Sequence, residues 1–313
     1  MQYALTAEGL RKSYGQKETL KGISLNIPEK GLTAVLGPNG AGKTTMLRIL
    51  TTTLLPSGGQ AWVLGHDVVA EAWRIRNDIA VVPQEALTDP DLTGWESVYG
   101  YLLARGFSRA QAGERAEVML RQLGLWEARH RTTGTYSGGM KRRTIIAMAL
   151  ATGARLIFLD EPTNGLDPVA KREVWSLLHG LKGQSTLVLT THLMDEVEAI
   201  ADQVLVLTEG RLLAGGTVAQ LRALAPAREK ILVDKAVPAD NLAPFGRVHE
   251  HGGRWVLFPA SQEAVHRAVD LVRGYGLGIG IEPANLEDAY LALLQGQGAP
   301  AGAETGAERR QGL

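Results

Sequence analysis

At 313 residues, 45% apolar and 21% charged, the chain has an ordinary globular composition and is long enough for one large domain and a small one. Thirty-three basic side chains match thirty-three acidic ones, so no global field draws the protein to nucleic acid or anionic lipid. Zero cysteines exclude disulfides, thiolate metal sites and cysteine nucleophiles, and fit a reducing compartment. The start, Met1 to Glu8, lacks a basic stretch followed by an apolar one, so a secretory signal is not expected. No uncharged apolar run approaches the roughly 18 residues of a membrane span. If the protein serves a membrane, another chain must cross it.

Up to about Ala225, short apolar runs alternate with helical patterns. Thr33 to Leu36 is an apolar strand leading into a glycine-rich turn, and Thr44 to Thr53 reads as a helix. Ile79 to Val82 is a second strand. From about Thr93 to Thr135 the rhythm breaks into helices, Gly94 to Ala104 and Ser108 to Leu123, which predicts a helical subdomain inserted between core strands. Ser137 to Ala151 is a further helix. Leu156 to Leu159, Thr186 to Thr190 and Val204 to Leu207 are the continuous apolar runs that buried parallel strands require. Helices over Pro168 to Leu181 and Met194 to Ala201 separate them. This alternation predicts an α/β domain with a largely parallel sheet.

Ala225-Pro226-Ala227 reads as a linker, and residues 226–295 as a small α+β accessory domain. Its expected elements are a strand at Lys230 to Asp234, a hairpin over Arg247 to Pro259 turning at Gly252-Gly253, and a helix over Ser261 to Arg273 with a serine N-cap. A strand at Leu277 to Ile281 and a helix at Leu286 to Leu294 follow. Residues 296–313, rich in Gly, Ala and Glu, are expected to form a disordered tail.

Two segments carry chemistry. Gly37-Pro38-Asn39-Gly40-Ala41-Gly42-Lys43-Thr44-Thr45 is a full Walker A motif between a strand and a helix. Its glycines let backbone N–H groups wrap a phosphate, and the helix start adds partial positive charge. Lys43 is placed to reach the β- and γ-phosphates, and the Thr44 hydroxyl to bind Mg²⁺. Leu156-Ile157-Phe158-Leu159-Asp160-Glu161 reads as Walker B. Its strand delivers Asp160 to the metal, directly or through water, and Glu161 to the attacking water as general base.

Walker motifs alone leave many nucleotide hydrolases open. Tyr136-Ser137-Gly138-Gly139-Met140, followed by Asp160-Glu161-Pro162-Thr163-Asn164-Gly165-Leu166-Asp167-Pro168, resembles the ATP-binding cassette family over about residues 3 to 225. The resemblance implies an α/β P-loop ATPase domain with an inserted helical subdomain, working with ATP and Mg²⁺. It implies that Ser137, Gly138 and Gly139 serve the nucleotide held by a second, head-to-tail ATPase subunit. Asp167 resembles the loop that crosses that dimer interface. Gln84 resembles the glutamine that senses metal or water, His192 the switch histidine at the γ-phosphate, and Tyr14 the aromatic that stacks on adenine. His66, His130, His179, His249, His251 and His266 lack such a setting and read as surface or structural.

The family also implies an integral membrane permease as partner, gripped by the helical subdomain, with Trp95 and Tyr99 either at that contact or in the core. It implies a cytoplasmic protein peripheral to the inner face of the cell membrane. Tyr136 and Met140 depart from the commonest signature, Leu-Ser-Gly-Gly-Gln, at its two ends. Met140 lacks the hydrogen bonds of a glutamine, while the serine and glycines remain. The form is similar to daunorubicin-resistance-type ATPases, which drive drug, lipid and polysaccharide exporters. Asn285-Leu286-Glu287-Asp288-Ala289-Tyr290-Leu291 also resembles that branch's ending. The expectation is an ATPase subunit powering export through a separate permease, with a dimer or regulatory role for the accessory domain. The alternative is a soluble cassette ATPase acting on nucleic acid or ribosomes. That alternative calls for two cassettes, a coiled-coil insertion or a basic tail, and the sequence has none of them.

Overall fold

The computed structural model describes residues 2–85 and 88–295; the expected tail at 296–313 lies outside the described residues. The chain divides into two compact units, the first ending at Thr217 and the second starting at Val218. The division falls upstream of the Ala225-Pro226-Ala227 break.

The first unit contains, in order, β1 (Tyr3–Tyr14), β2 (Lys17–Pro28), β3 (Gly31–Leu36), α1 (Lys43–Leu50), β4 (Gly58–Val63), β5 (His66–Asp67), α2 (Ala72–Asp78) and β6 (Ile79–Val82). Three helices follow, α3 (Gly94–Ala104), α4 (Arg109–Gln122) and α5 (Gly138–Ala151). The unit closes with β7 (Leu156–Asp160), α6 (Pro168–Leu181), β8 (Thr186–Thr191), α7 (Met194–Ile200), β9 (Gln203–Thr208) and β10 (Arg211–Gly216).

Two sheets result. The six-stranded one has the order β10-β9-β3-β8-β7-β6, parallel except for β10 at its edge. Every residue of β7 and β8 is buried, which is why these strands read as unbroken apolar runs. The second sheet, β2-β1-β4-β5, is antiparallel and was not foreseen. The pairing of β1 with β2 shifts register at several points, between Ala7 and Leu10 among others, so the period-2 pattern that announces a strand is broken.

One core cluster includes Leu5, Leu10 and Ile23 of the antiparallel sheet and Val35, Phe158 and Val188 of the parallel one, together with Met46, Ile49 and Leu50 of α1. Each fully buried Leu, Ile or Phe contributes about 1.5–3 kcal/mol. Helix α1 is thereby fixed from several sides, and the loop that enters it inherits that rigidity.

Between β6 and β7, α3 and α4 begin at capping boxes, Thr93 with Glu96 and Ser108 with Gln111. In this helical insert Trp95 stacks on Tyr99 with ring centroids 5.8 Å apart and meets the edge of Trp126 at 6.2 Å. The guanidinium groups of Arg121 and Arg129 each lie 3.9 Å from the Trp126 ring centre.

The second unit holds α8 (Val218–Arg222), β11 (Glu229–Val233), α9 (Ala239–Leu242), β12 (Gly246–His251), β13 (Arg254–Pro259), α10 (Gln262–Gly274), β14 (Gly280–Pro283) and α11 (Leu286–Leu294). Its sheet, β12-β13-β11-β14, is antiparallel throughout. Gly252 and Gly253, both at positive φ, turn the β12–β13 hairpin. Ile231, Val233 and Leu257 pack with Val265, Ala268 and Val272 of α10. The last strand starts at Gly280 rather than Leu277, because Leu277 and Ile279 are drawn against this core before the ladder begins.

Candidate active site

The loop after β3 owes its shape to its glycines. A Cβ on Gly37 would lie 2.1 Å from the Leu207 carbonyl oxygen, and Gly42 stands at φ 104° as the N-cap of α1, with no side-chain cap. The first N–H groups of α1 are thus left for an anion. A cleft of about 390 Å³ opens on this loop, lined among others by Asn39, Gly40, Gly42, Lys43, Thr44, Thr45, Gln84 and Glu161. Lys17, Glu18, Thr19, Lys21 and Glu209 also line it, and sequence reasoning missed them.

Lys43, 5% exposed, donates to the carbonyls of Gly37 (2.7 Å) and Pro38 (3.2 Å) and lies 3.5 Å from Glu161 Oε1. Burial pulls its ammonium below the ordinary lysine value, against Glu161 and Asp160, which push it back up. Thr44 Oγ1 donates to Gln84 Oε1 at 3.5 Å. Asp160 is buried at the end of β7 and accepts from the Thr190 hydroxyl of β8.

Glu161 follows at φ 47°, a left-handed backbone that costs a non-glycine residue about 1–3 kcal/mol and persists only where neighbours enforce it. The enforcers are visible. Its N–H bonds to the carbonyl (3.0 Å) and hydroxyl (3.2 Å) of Thr190, and its carbonyl accepts from Arg142 at 2.9 Å. The side chain is buried, with His192 Nδ1 3.3 Å from Oε1. The structure therefore brings Lys43, Thr44, Gln84, Asp160, Glu161 and His192 to one place.

Arg142 of α5 was not singled out from sequence. It donates to five backbone carbonyls, those of Pro83, Gln84, Asp160, Glu161 and Pro162, at 2.6 to 3.1 Å. It thereby clamps the strand end before Gln84 to the strand end carrying the carboxylates, and burial holds its guanidinium below the usual value. The signal was a cation on the α5 face that Ile146 and Ala149 make apolar.

Other expected residues stand outside this hydrogen-bonded group. Ser137 is the exposed N-cap of α5, and its hydroxyl accepts from Met140 N at 3.2 Å. Gly138 and Gly139 form the first turn of that helix. Asp167 caps α6, accepting from Val169 and Ala170 N–H, each at 3.0 Å, with Pro168 at the first helical position. Those N–H groups hold its carboxyl below the ordinary aspartate value. Tyr14 ends β1 half exposed, with Lys12 Nζ 5.4 Å from its ring centre, and pairs across the β1–β2 turn with Lys17, which lines the cleft. Tyr136 is buried and donates to the Ala128 carbonyl at 2.7 Å, tying the signature segment to the helical insert.

A lysine on a glycine loop, a hydroxyl and an amide facing each other, and a carboxylate held in an enforced backbone together suit attack of water on a bound phosphoryl group. Among the described residues no group of three or more His, Cys, Asp or Glu is placed to hold a metal by itself. The class so defined is that of the P-loop nucleotide hydrolases.

Comparison with known proteins narrows it. The ABC transporter family model matches residues 20–164. The daunorubicin/doxorubicin resistance ATP-binding protein DrrA of Streptomyces peucetius is 42% identical over 220 residues, covering 70% of this chain and 67% of that protein. The doxorubicin resistance ATP-binding protein DrrA of Mycobacterium tuberculosis is 39% identical over 223 residues, covering 70% of this chain and 67% of that protein. A solved dimeric, post-hydrolysis ATP-binding cassette bound to ADP and Pi superposes with a TM-score of 0.63 at 28% identity, covering 68% of this chain and 98% of that one. The chain belongs to the ABC transporter family as an ATP-binding subunit, and its activity is that of an ATPase. No helix among the described residues is long and apolar enough to cross a membrane.

Proposed function

We propose that the protein hydrolyses Mg²⁺–ATP at the interface of two head-to-tail copies and thereby powers export of a drug-, lipid- or polysaccharide-like compound through a separate membrane permease. One observation carries the reading: Glu161, strained and buried, sits between Lys43 and His192, while Ser137 stands exposed on a helix tip outside its own chain's cleft.

In this reading the N–H groups of the Gly37–Thr45 loop bind the phosphates. Lys43 exchanges the Gly37 and Pro38 carbonyls for phosphate oxygens and stabilises charge that develops on the γ-phosphoryl group. Glu161 orients the attacking water and accepts its proton, and His192 steadies the γ-phosphate from the other side. The hydroxyl of Thr44, the amide of Gln84 and the carboxylate of Asp160 are hard oxygen donors, few in number, as suits Mg²⁺ sharing its shell with phosphates and water. Bound there, Mg²⁺ would neutralise charge between the β- and γ-phosphates. Ser137, Gly138 and Gly139 present free N–H groups and a helix dipole to the partner copy's γ-phosphate.

The helical insert is the surface for the permease, with Trp95 and Tyr99 half-buried and Leu92 and Leu103 exposed. The export assignment rests on the drug-resistance ATP-binding proteins that this chain resembles. The protein then works in the cytoplasm against the inner face of the membrane.

The test is Glu161→Gln in the full-length chain. Turnover should fall by about 10²- to 10⁴-fold while ATP binding persists and an ATP-dependent dimer accumulates on gel filtration. An unchanged rate removes Glu161 from its role. Ser137→Arg should keep nucleotide affinity and lose dimer and turnover; full activity there would end the shared-site reading. Co-purification of the native chain with ribosomes or nucleic acid rather than a membrane protein would end the export reading.

A further inference from the structure

A third buried carboxylate lies close by and has no part in the chemistry above. Glu196, in the first turn of α7, is fully buried. Its Oε1 accepts from the Thr163 hydroxyl at 2.8 Å and from the Trp175 indole N–H of α6 at 3.0 Å. Its Oε2 is buried without a hydrogen-bond partner among the described residues. Burial pushes its carboxyl above the ordinary glutamate range, against the influence of the Thr191 and Thr163 hydroxyls and the Trp175 indole. A residue that merely filled this space would do so at lower cost as an apolar side chain, because desolvating a half-satisfied carboxyl is unfavourable.

The partners give it another meaning. Glu196 lies one helical turn beyond His192, and α7 starts directly after the His192-Leu193 pair, with Val197 N donating to the Leu193 carbonyl. Thr163 lies near the start of the segment from Glu161 to Asp167. That segment is a chain of short turns: Asn164 N bonds to the Glu161 carbonyl and Leu166 N to the Thr163 carbonyl. Leu166 then packs where a Cβ on Gly139 would meet it at 3.4 Å, against the Ser137 helix. A single oxygen therefore holds the turn that presents His192, the segment that leaves Glu161, and α6, which Asp167 caps.

We propose that Glu196 is a positioning residue, which locks the His192 turn to the Glu161–Asp167 segment so that the two move as one body when the γ-phosphate is bound or lost. The proposal rests on the roles given above to Glu161 and His192. Glu161 and His192 also touch directly, and that contact survives without the acceptor; what is lost is the tie that holds the Thr163 turn and α6 to α7, and with it the support that keeps the pair in one geometry.

Steady-state ATPase kinetics on the full-length chain test this, with nucleotide-binding stoichiometry and Tm measured alongside. Glu196→Ala should lower kcat by about 10²-fold, the scale of a small misplacement transmitted to reacting groups, with KM for ATP and binding stoichiometry unchanged. Glu196→Gln keeps an acceptor oxygen for both donors and should restore most of the rate. Thr163→Val should lower kcat on its own, and adding it to Glu196→Ala should cost nothing further, the mark of two residues acting through one contact. A wild-type kcat in Glu196→Ala, an additive double variant, or a Gln variant as slow as Ala would each overturn the proposal. If Glu196→Ala fails to fold, Thr163→Val and Glu196→Gln carry the same test. Glu161→Gln in the same assay separates the two readings: if it hydrolyses at the wild-type rate the site assignment fails, whereas an inactive Glu161→Gln beside a fully active Glu196→Ala removes only the lock.

Discussion

Each unit of the chain buries an ion pair, and the two pairs are built differently. In the second unit Lys230 Nζ lies 2.9 Å from Asp288 Oδ2 and 3.2 Å from Oδ1, and Asp288 in turn accepts the Asn285 N–H at 2.8 Å and completes the capping box of α11. Every group there has its partner, and the backbone is unstrained. In the first unit Lys43 and Glu161 stand 3.5 Å apart, Lys43 leans on carbonyls of its own loop, and Glu161 is held at positive φ. A closed pair serves stability, whereas a looser and strained one keeps hydrogen-bonding capacity for something else.

Lys43→Ala breaks the loose pair. It should cost about 10²- to 10³-fold in turnover, the scale of losing one donor to the developing charge. Thermal stability should fall less than for the closed pair, because removing Lys43 also removes an ammonium that burial disfavours, and a calorimetric scan beside an ATPase assay reads both. Lys230→Met breaks the closed pair. It should lower unfolding stability by about 3–5 kcal/mol in a denaturant titration, since it strands the buried Asp288 carboxylate, while leaving KM for ATP as it is.

The smallest effect sharpens the contrast at an exposed carboxylate, Asp167, whose segment resembles the loop at the dimer interface. Asp167→Ala removes the α6 cap and should lower Tm by a few degrees. The capping N–H groups hold the folded-state value of Asp167 below the ordinary 3.8. Its contribution is therefore present above that value and is lost as pH falls through the depressed one. The Tm difference between Asp167→Ala and wild type should accordingly close on strong acidification.

The phosphate loop and the Asp160-Glu161 pair were legible because their chemistry fixes residue type and spacing within a single strand–turn–helix stretch. Arg142 and Glu196 were not. Arg142 answers to carbonyls on two separate strand ends, which carry no side-chain signature, and Glu196 meets Thr163 and Trp175 only after α6 and α7 have packed. The antiparallel sheet escaped for a third reason, the register shifts that scramble alternation along β1.

Tyr136 replaces a leucine of the commonest signature, and its hydroxyl stands where the Cβ of any other residue at 94 would have to be, 2.2 Å away. The first turn of α3 is thereby committed to the smallest amino acid. Changing Tyr136 to leucine would release that commitment, so a library that varies positions 94 and 136 together should yield folded variants with side chains at 94 that are not tolerated while Tyr136 is present.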